Sequence, residues 1–302
     1  MSKKESLTAE RRRKTILSVV LAVICIIYVL PVLTVVINSF KLNTFVKTET
    51  FAIPTKESWA GLGNFIKGMT FGNYPFWKSV LYSVVITVAS TALILLFTSM
   101  AAWYIARVNS FFCKVIYYLC VFSMVVPFQM VMFTLSKTAD TLHLNTPWTI
   151  PVVYLGFGAG LSIFMFVGFV KSIPLEIEES ASIDGCNDVG VLWKIVLPLS
   201  LPVLATFGLF YAVGHWNAYF SAMIYMTGAK EKWPLQVLLR ELIIMSNGTA
   251  GDMANMADDF VQPPEQSIKM AVIVVSTVPI MCVYPFLQKF FAKGVMVGSV
   301  KG

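Results

Sequence analysis

The chain has 302 residues, 57% of them hydrophobic and 13% charged, with a mean hydropathy of +0.74. A soluble domain carries about 25% charged residues, so this composition excludes a water-soluble globular protein and describes an integral membrane protein. The net charge of +7 raises nucleic acid as a partner, but the basic residues gather at the ends of apolar segments, the pattern of membrane orientation, and no nucleic acid is expected.

Residues 1–15 are polar and place Arg11, Arg12, Arg13 and Lys14 just before an apolar run. From Ile16 to Ile37 there are 22 residues without a charge, enough for a spanning helix, which needs about 20. The run is longer than the core of a signal peptide and has no small-residue cleavage site, so it reads as a retained anchor. The basic cluster keeps the N-terminus inside, and Pro31 is expected to kink the helix. Residues 38–78 form an outer loop with turn chemistry at Pro54, Gly61, Gly63, Gly68, Gly72 and Pro75. A second span covers about Ser79 to Ile105, with Phe76, Trp77, Trp103 and Tyr104 as interface anchors. Arg107 and Lys114 flank a tight inner turn before a third span at about 115–136, which contains Pro127 and Gln129. A short outer loop at 137–147 leads to a fourth span at about 149–170, whose Gly156, Gly158, Gly160 and Gly168 allow close helix approach.

Residues 174–198 are the most polar and acidic run in the chain, with Glu176, Glu178, Glu179, Asp184 and Asp188. Pro174 suits a helix start, and the glutamates favour its positive N-terminal end. Gly185 suits a left-handed stop, and Asn187 or Asp188 can cap a second short helix that runs to Pro198. A fifth span follows at about 199–226, a long outer loop at 227–269, a sixth span at about 270–288 with Pro279 and Pro285, and a basic tail. The inner segments hold 13 Lys and Arg over roughly 65 residues and the outer ones 10 over roughly 92. Both termini and the acidic stretch therefore fall in the cytoplasm. The expected fold is all-α with six transmembrane helices: 1–76 as N-terminus, first helix and outer loop, 77–287 as a five-helix core, and 288–302 as a cytoplasmic tail. Cys25, Cys120 and Cys282 lie in apolar runs and Cys113 and Cys186 on the inner side, so no disulfide is expected.

The acidic stretch resembles the EAA loop of the membrane subunits of ABC importers. Glu179, Ala181, Gly185, Ile195, Leu197 and Pro198 fall at that loop's spacing, with Ser180 in place of its middle alanine. At roughly 5–10% per residue type, six such matches arise by chance about once in ~10^7 windows. Other segments are similar to carbohydrate-importer permeases of the maltose-transporter-like type: YVLPVLTVVINSFK in the first span, Ala101–Arg107 against A-A-Y-A-x-x-R, Leu144-Asn145-Thr146, Trp216-Asn217, and the C-terminal VYPFLQKFFAKGVMVGSVKG. His143 stands where the family has glycine, and the Pro-Leu that follows its W-N pair is absent. The resemblance implies a type I ABC importer permease fold, in the cell membrane of a bacterium, with a cytoplasmic coupling helix seated in a cleft of a separate ATPase. It also implies a second, different permease, two ATPase subunits that use ATP and Mg, and an extracellular or periplasmic sugar-binding protein. Glu179, Ser180, Ala181, Asp184, Gly185, Ile195, Leu197 and Pro198 are then the ATPase-coupling residues.

The chemistry absent from the chain agrees with that division of labour. There is no G-x-x-x-x-G-K-[ST], so the chain carries no P-loop and binds no cofactor of its own. The six spans contain no Asp, Glu, Lys or Arg, which leaves an ion-coupled secondary carrier little to work with. Two histidines 72 apart, with no H-E-x-x-H and no G-x-S-x-G, give no metal site and no catalytic residues, so neither a metalloenzyme nor an intramembrane hydrolase is expected. Substrate-path candidates are Trp216, Asn217 and Tyr219 in the fifth span and Gln129 in the third, because sugars are held by aromatic faces and amides. Packing or lipid contact is the alternative for each. His215 is expected to be a hydrogen-bonded packing residue. The expected function is ATP-driven import of a di- or oligosaccharide by alternating access. A glycerol phosphate or an amino-sugar compound is the alternative cargo.

Overall fold

Long uncharged runs cannot lean on water for their backbone hydrogen bonds inside a bilayer, and helices satisfy them internally. The computed structural model describes residues 3–70, 76–226, 232–245 and 265–299, and helices dominate them; the one β feature among these residues is an isolated bridge between Lys41 and Trp59. Among the described residues four helices are long and apolar enough to cross a membrane, or up to six if each of two bent pairs counts as one span. The chain divides into two compact units, one of residues 1–73 and 242–276 and one of residues 74–241 and 277–302.

In the first unit, α1 (Lys3–Ser39) runs unbroken through Pro31. Its apolar side chains from Ile16 to Leu33 are exposed throughout, as suits a helix with lipid around it. The outer segment that follows has a structure of its own, with α2 (Asn43–Thr48) and α3 (Gly63–Thr70). Phe40 stacks on Trp59 at 5.2 Å and meets Phe65 at 5.0 Å. Asn64 Nδ2 donates to the carbonyls of Ser39 and Lys41 at 2.8 and 2.7 Å. Lys41 is 1% exposed, and its ammonium donates to the Glu49 carbonyl at 2.7 Å. A Cβ on Gly68 would meet Val272 Cγ2, so this glycine lets α3 lie close against the start of the last helix. The first helix and the outer segment fall in one unit with residues 242–276.

In the second unit, α4 (Phe76–Arg107) packs along α7 (Ile150–Val170) and the later helix α11, and α5 (Phe111–Val125) packs along α7. Ile94, Ala102, Ile163, Phe166, Val167, Phe207 and Tyr211 form the core between them. Buried Thr98 and Ser162 share a hydrogen bond of 2.8 Å across α4 and α7. The glycines of α7 divide: a Cβ would strike Ile94 from Gly158 and the Cys120 carbonyl from Gly160, but would meet open space at Gly156 and Gly168.

The third expected span is broken. Pro127 forces Val126 into extended backbone, and α5 and α6 (Phe128–Thr141) meet at 110°. After α7 come α8 (Leu175–Ile183), α9 (Asp188–Val191), a π turn at Leu192–Val196 and α10 (Leu197–Leu199). This segment bends by 76° at Ser200 into α11 (Leu201–Trp216). The fifth expected span is interrupted again at 217–219 before α12 (Phe220–Tyr225). The expected outer loop at 227–269 contains α13 (Leu235–Met245), and α14 (Gln266–Ser299) runs through Pro279 and Pro285 into the expected tail. Of that loop's charged residues, Lys230, Glu231, Asp252, Asp258 and Asp259 lie outside the described residues.

Candidate functional site

The acidic stretch folds as its sequence asks. Pro174 precedes α8, whose first turn holds Glu176 and Glu178. Gly185 has φ +85°, and the chain turns there through two paired bonds, Gly185 N–H to the Ser182 carbonyl at 3.1 Å and Cys186 N–H to the Ala181 carbonyl at 2.9 Å. Asn187 Oδ1 accepts from Gly190 N–H at 2.8 Å and so caps α9. Among the described residues, nothing beyond its chain neighbours lies within 4 Å of a Cβ built on Gly185, so its need for glycine is the left-handed φ.

One acid, Glu178, ties α8 to the bundle. Arg107 Nε and Nη2 donate to Glu178 Oε1 at 2.9 and 2.5 Å, and Trp103 Nε1 donates to Oε2 at 3.0 Å. Arg107 Nη2 also donates to the Ile173 carbonyl at 3.0 Å. The two ionic side chains are 17% and 8% exposed, so the pair is largely withdrawn from water. Beneath it Val170, Ile173, Val191, Leu192 and Val196 form a small core that Ala181 and Leu197 pack against. Trp103 and Arg107, expected as an interface anchor and a loop flank, both hold Glu178. Their spacing of four on one helix, which aligns side chains on a single face, is the signal that pairs them.

The remaining coupling candidates divide by exposure. Glu179, Ser180, Asp184, Gly185 and Pro198 are exposed, and Ala181, Ile195 and Leu197 are half-buried. Ser180 Oγ donates back to the Glu176 carbonyl at 2.8 Å. Ile183 is 86% exposed and Ile177 43%, and Glu179 and Ile183 line an open groove of about 550 Å³ together with Trp103, Tyr104 and Arg107 of α4.

A cavity of about 370 Å³ opens where the broken helices meet. Its walls are Phe128, Phe157, Phe220, Tyr154, Tyr211 and Tyr225, with His215, Asn217, Tyr219 and Ser221. His215 lies against Tyr154 at 4.9 Å and against Tyr211 at 5.9 Å, both nearly parallel. Among the described residues its Nε2 has no hydrogen-bond partner, so it packs by stacking and not by the expected hydrogen bond. Tyr154 Oη and Ser221 Oγ share a bond of 3.0 Å, and Tyr211 Oη donates to the Gly158 carbonyl at 2.8 Å. Of the substrate-path candidates, Asn217 and Tyr219 line the cavity, and Asn217 Nδ2 donates to the Val213 carbonyl at 3.0 Å. Trp216 is buried outside it, and Gln129 is exposed beside the lining residue Phe128. The aromatic walls were hidden in the sequence because they come from α6, α7, α11 and α12, where each ring reads as ordinary packing. Ring faces with a few hydroxyl and amide groups suit a ligand that has both C–H faces and hydroxyls.

The family model described as "Binding-protein-dependent transport system inner membrane component" matches residues 94–297. The chain is 41% identical over 284 residues to the polygalacturonan/rhamnogalacturonan transport system permease protein YtcP of Bacillus subtilis, covering 93% of this chain and 96% of that one. It is 29% identical over 291 residues to the arabinooligosaccharides transport system permease protein AraQ of Halalkalibacterium halodurans, covering 95% and 96%. Among solved structures it resembles a chain of a bacterial ABC transporter involved in the import of the acidic polysaccharide alginate, with a TM-score of 0.77, 25% identity, and coverage of 96% of this chain and 99% of that one.

Proposed function

Because the chain belongs to the family of binding-protein-dependent transport system inner membrane components and shares the fold of an ABC importer's membrane subunit, we propose that it is a permease subunit importing a di- or oligosaccharide by alternating access. The observation that carries the coupling half of this reading is α8. Glu178 fastens it to α4, and its exposed Glu179 and Ile183 line, with Trp103, Tyr104 and Arg107 of α4, an open groove of about 550 Å³ that a partner can enter. A partner arginine or lysine would meet Glu179 with a charge-assisted hydrogen bond. The ATP and Mg are held by two ATPase subunits, which supply the driving force. A second, different permease completes the membrane pore, and an extracellular or periplasmic binding protein delivers the sugar.

Movement of α8 then passes through the Arg107–Glu178 pair into α4, which packs on both α7 and α11. Those helices carry Tyr154, Phe157, Tyr211 and His215 of the aromatic cavity. The cavity is the sugar's contact on this subunit, with ring faces against the pyranose C–H face and Asn217 available to its hydroxyls.

The test is purification of the native assembly from its membrane followed by an ATPase assay. An ATPase and a second permease should co-purify with the wild type, and Glu179→Lys should release the ATPase while the chain stays inserted. A chain that purifies alone, with uptake that survives loss of ATP, would refute the reading.

A further inference from the structure

At the end of the bundle that carries α8, a second cavity of about 320 Å³ lies between the α4–α5 turn and the end of α7. Lys114, at the start of α5, and Lys171, which closes α7, both line it, together with Asn109, Tyr117 and Tyr118. No carboxylate lines it, and neither lysine forms a salt bridge among the described residues. Lys171 Nζ sits 5.9 Å from the centre of the Tyr117 ring, which holds the ammonium beside the cavity without neutralising it. The third cation of this region, Arg107, is committed to Glu178. Phe112, Leu119, Phe122 and Val125 of α5 are exposed apolar side chains that run from the cavity's rim along the helix. A ligand that fits must therefore carry negative charge and a long apolar portion.

We propose that this cavity binds the phosphate headgroup of an anionic phospholipid of the inner leaflet, with Lys114 and Lys171 on the phosphate and the acyl chains along α5. The chemistry follows from the placement: basic pockets between helices at the inner face take phosphate headgroups, and each lysine there is worth about 1 kcal/mol. A headgroup held by both lysines joins the start of α5 to the end of α7. Lys171 is two residues from Ile173, whose carbonyl accepts from Arg107. Occupancy would steady the base of the α8 attachment.

The whole assembly, placed in phosphatidylcholine nanodiscs with graded phosphatidylglycerol, tests this by native mass spectrometry of the lipid retained on the chain. The wild type should retain phosphatidylglycerol. Lys114→Gln/Lys171→Gln should weaken its retention roughly 25-fold, from about 1 kcal/mol per lysine at about 1.4 kcal/mol per factor of ten. Lys114→Arg/Lys171→Arg should restore it. Lys47→Gln/Lys56→Gln, which removes the same charge from the outer segment, should change it less than twofold. Equal retention by the wild type and the glutamine pair, or an equal loss in the outer control, would overturn the proposal. Glycerophosphoglycerol or inorganic phosphate, added at millimolar concentration to wild-type assemblies, should not displace the lipid. Displacement would make a free phosphate compound the occupant and refute a lipid site. Retention is read without transport or ATP, so it stands or falls separately from the coupling role.

Discussion

Removing the carboxylate of Glu178 should free α8 from the bundle while leaving both in place. Glu178→Ala takes away both bonds from Arg107 and the one from Trp103, and leaves Arg107 only the Ile173 carbonyl. Breaking a buried ion pair by deleting one partner costs about 3–5 kcal/mol. Arg107 keeps 17% exposure and can recover some hydration, which sets the expectation at the lower end, about 3 kcal/mol. At about 1.4 kcal/mol per factor of ten, the undocked population of α8 should rise on the order of 100-fold. Hydrogen exchange of the amides of residues 175–183 in the purified assembly reads this directly. Glu179→Gln should leave that exchange unchanged, since Glu179 is exposed. Arg107→Met combined with Glu178→Leu should recover most of the protection, because an apolar pair of similar size carries no stranded charge. Exchange at 175–183 as slow in Glu178→Ala as in the wild type would show that the pair does not fasten the helix.

Gly185→Ala should lower the stability of the α8–α9 turn by about 1–2 kcal/mol through its φ of +85° alone, and Gly185→Asn by less, measured as the loss of ATPase association in detergent. Gly160→Val should push α5 from α7 and cost about 1–3 kcal/mol in thermal stability, because its Cβ would meet Ser123 Oγ and the Cys120 carbonyl. Gly168→Ala, which meets open space, should be neutral in the same melt. Phe128→Ala should raise the sugar concentration needed for half-maximal uptake without releasing the ATPase, whereas Gln129→Ala should do neither, since only Phe128 lines the cavity.

The legible parts of the chain were those in which a few neighbouring residues decide the outcome. The Gly185 turn and the Asn187 cap are local, and both form as their residue types require. Each of the six expected spans overlaps a long helix or a bent pair, and α14 extends the sixth well beyond its expected limits. What sequence alone did not show depends on partners far apart in the chain. Glu178 looked like one helix-starting acid among three, and its role is set by Arg107, 71 residues earlier. The break between α5 and α6 was foreshadowed by Pro127, but an apolar run with one proline fits a mild kink as well as the 110° bend observed. The outer segment read as turns because its order comes from Lys41, Phe40, Trp59 and Asn64 meeting across the loop.

Two of the three helix breaks, at Pro127 and at 217–219, border the same cavity, through Phe128 on one side and Asn217, Ala218 and Tyr219 on the other. A helix end leaves its last carbonyls without amide donors, and hydrocarbon supplies none. Val213 and His215 find donors in the turn that follows α11, but Pro127 has no N–H to give the end of α5. Non-helical backbone at membrane depth persists only against protein or water. These broken ends are therefore covered by protein or by water, and hydrocarbon does not reach them. A polyhydroxylated solute taking the proposed path would meet backbone carbonyls and ring faces there, rather than entering the hydrocarbon bare.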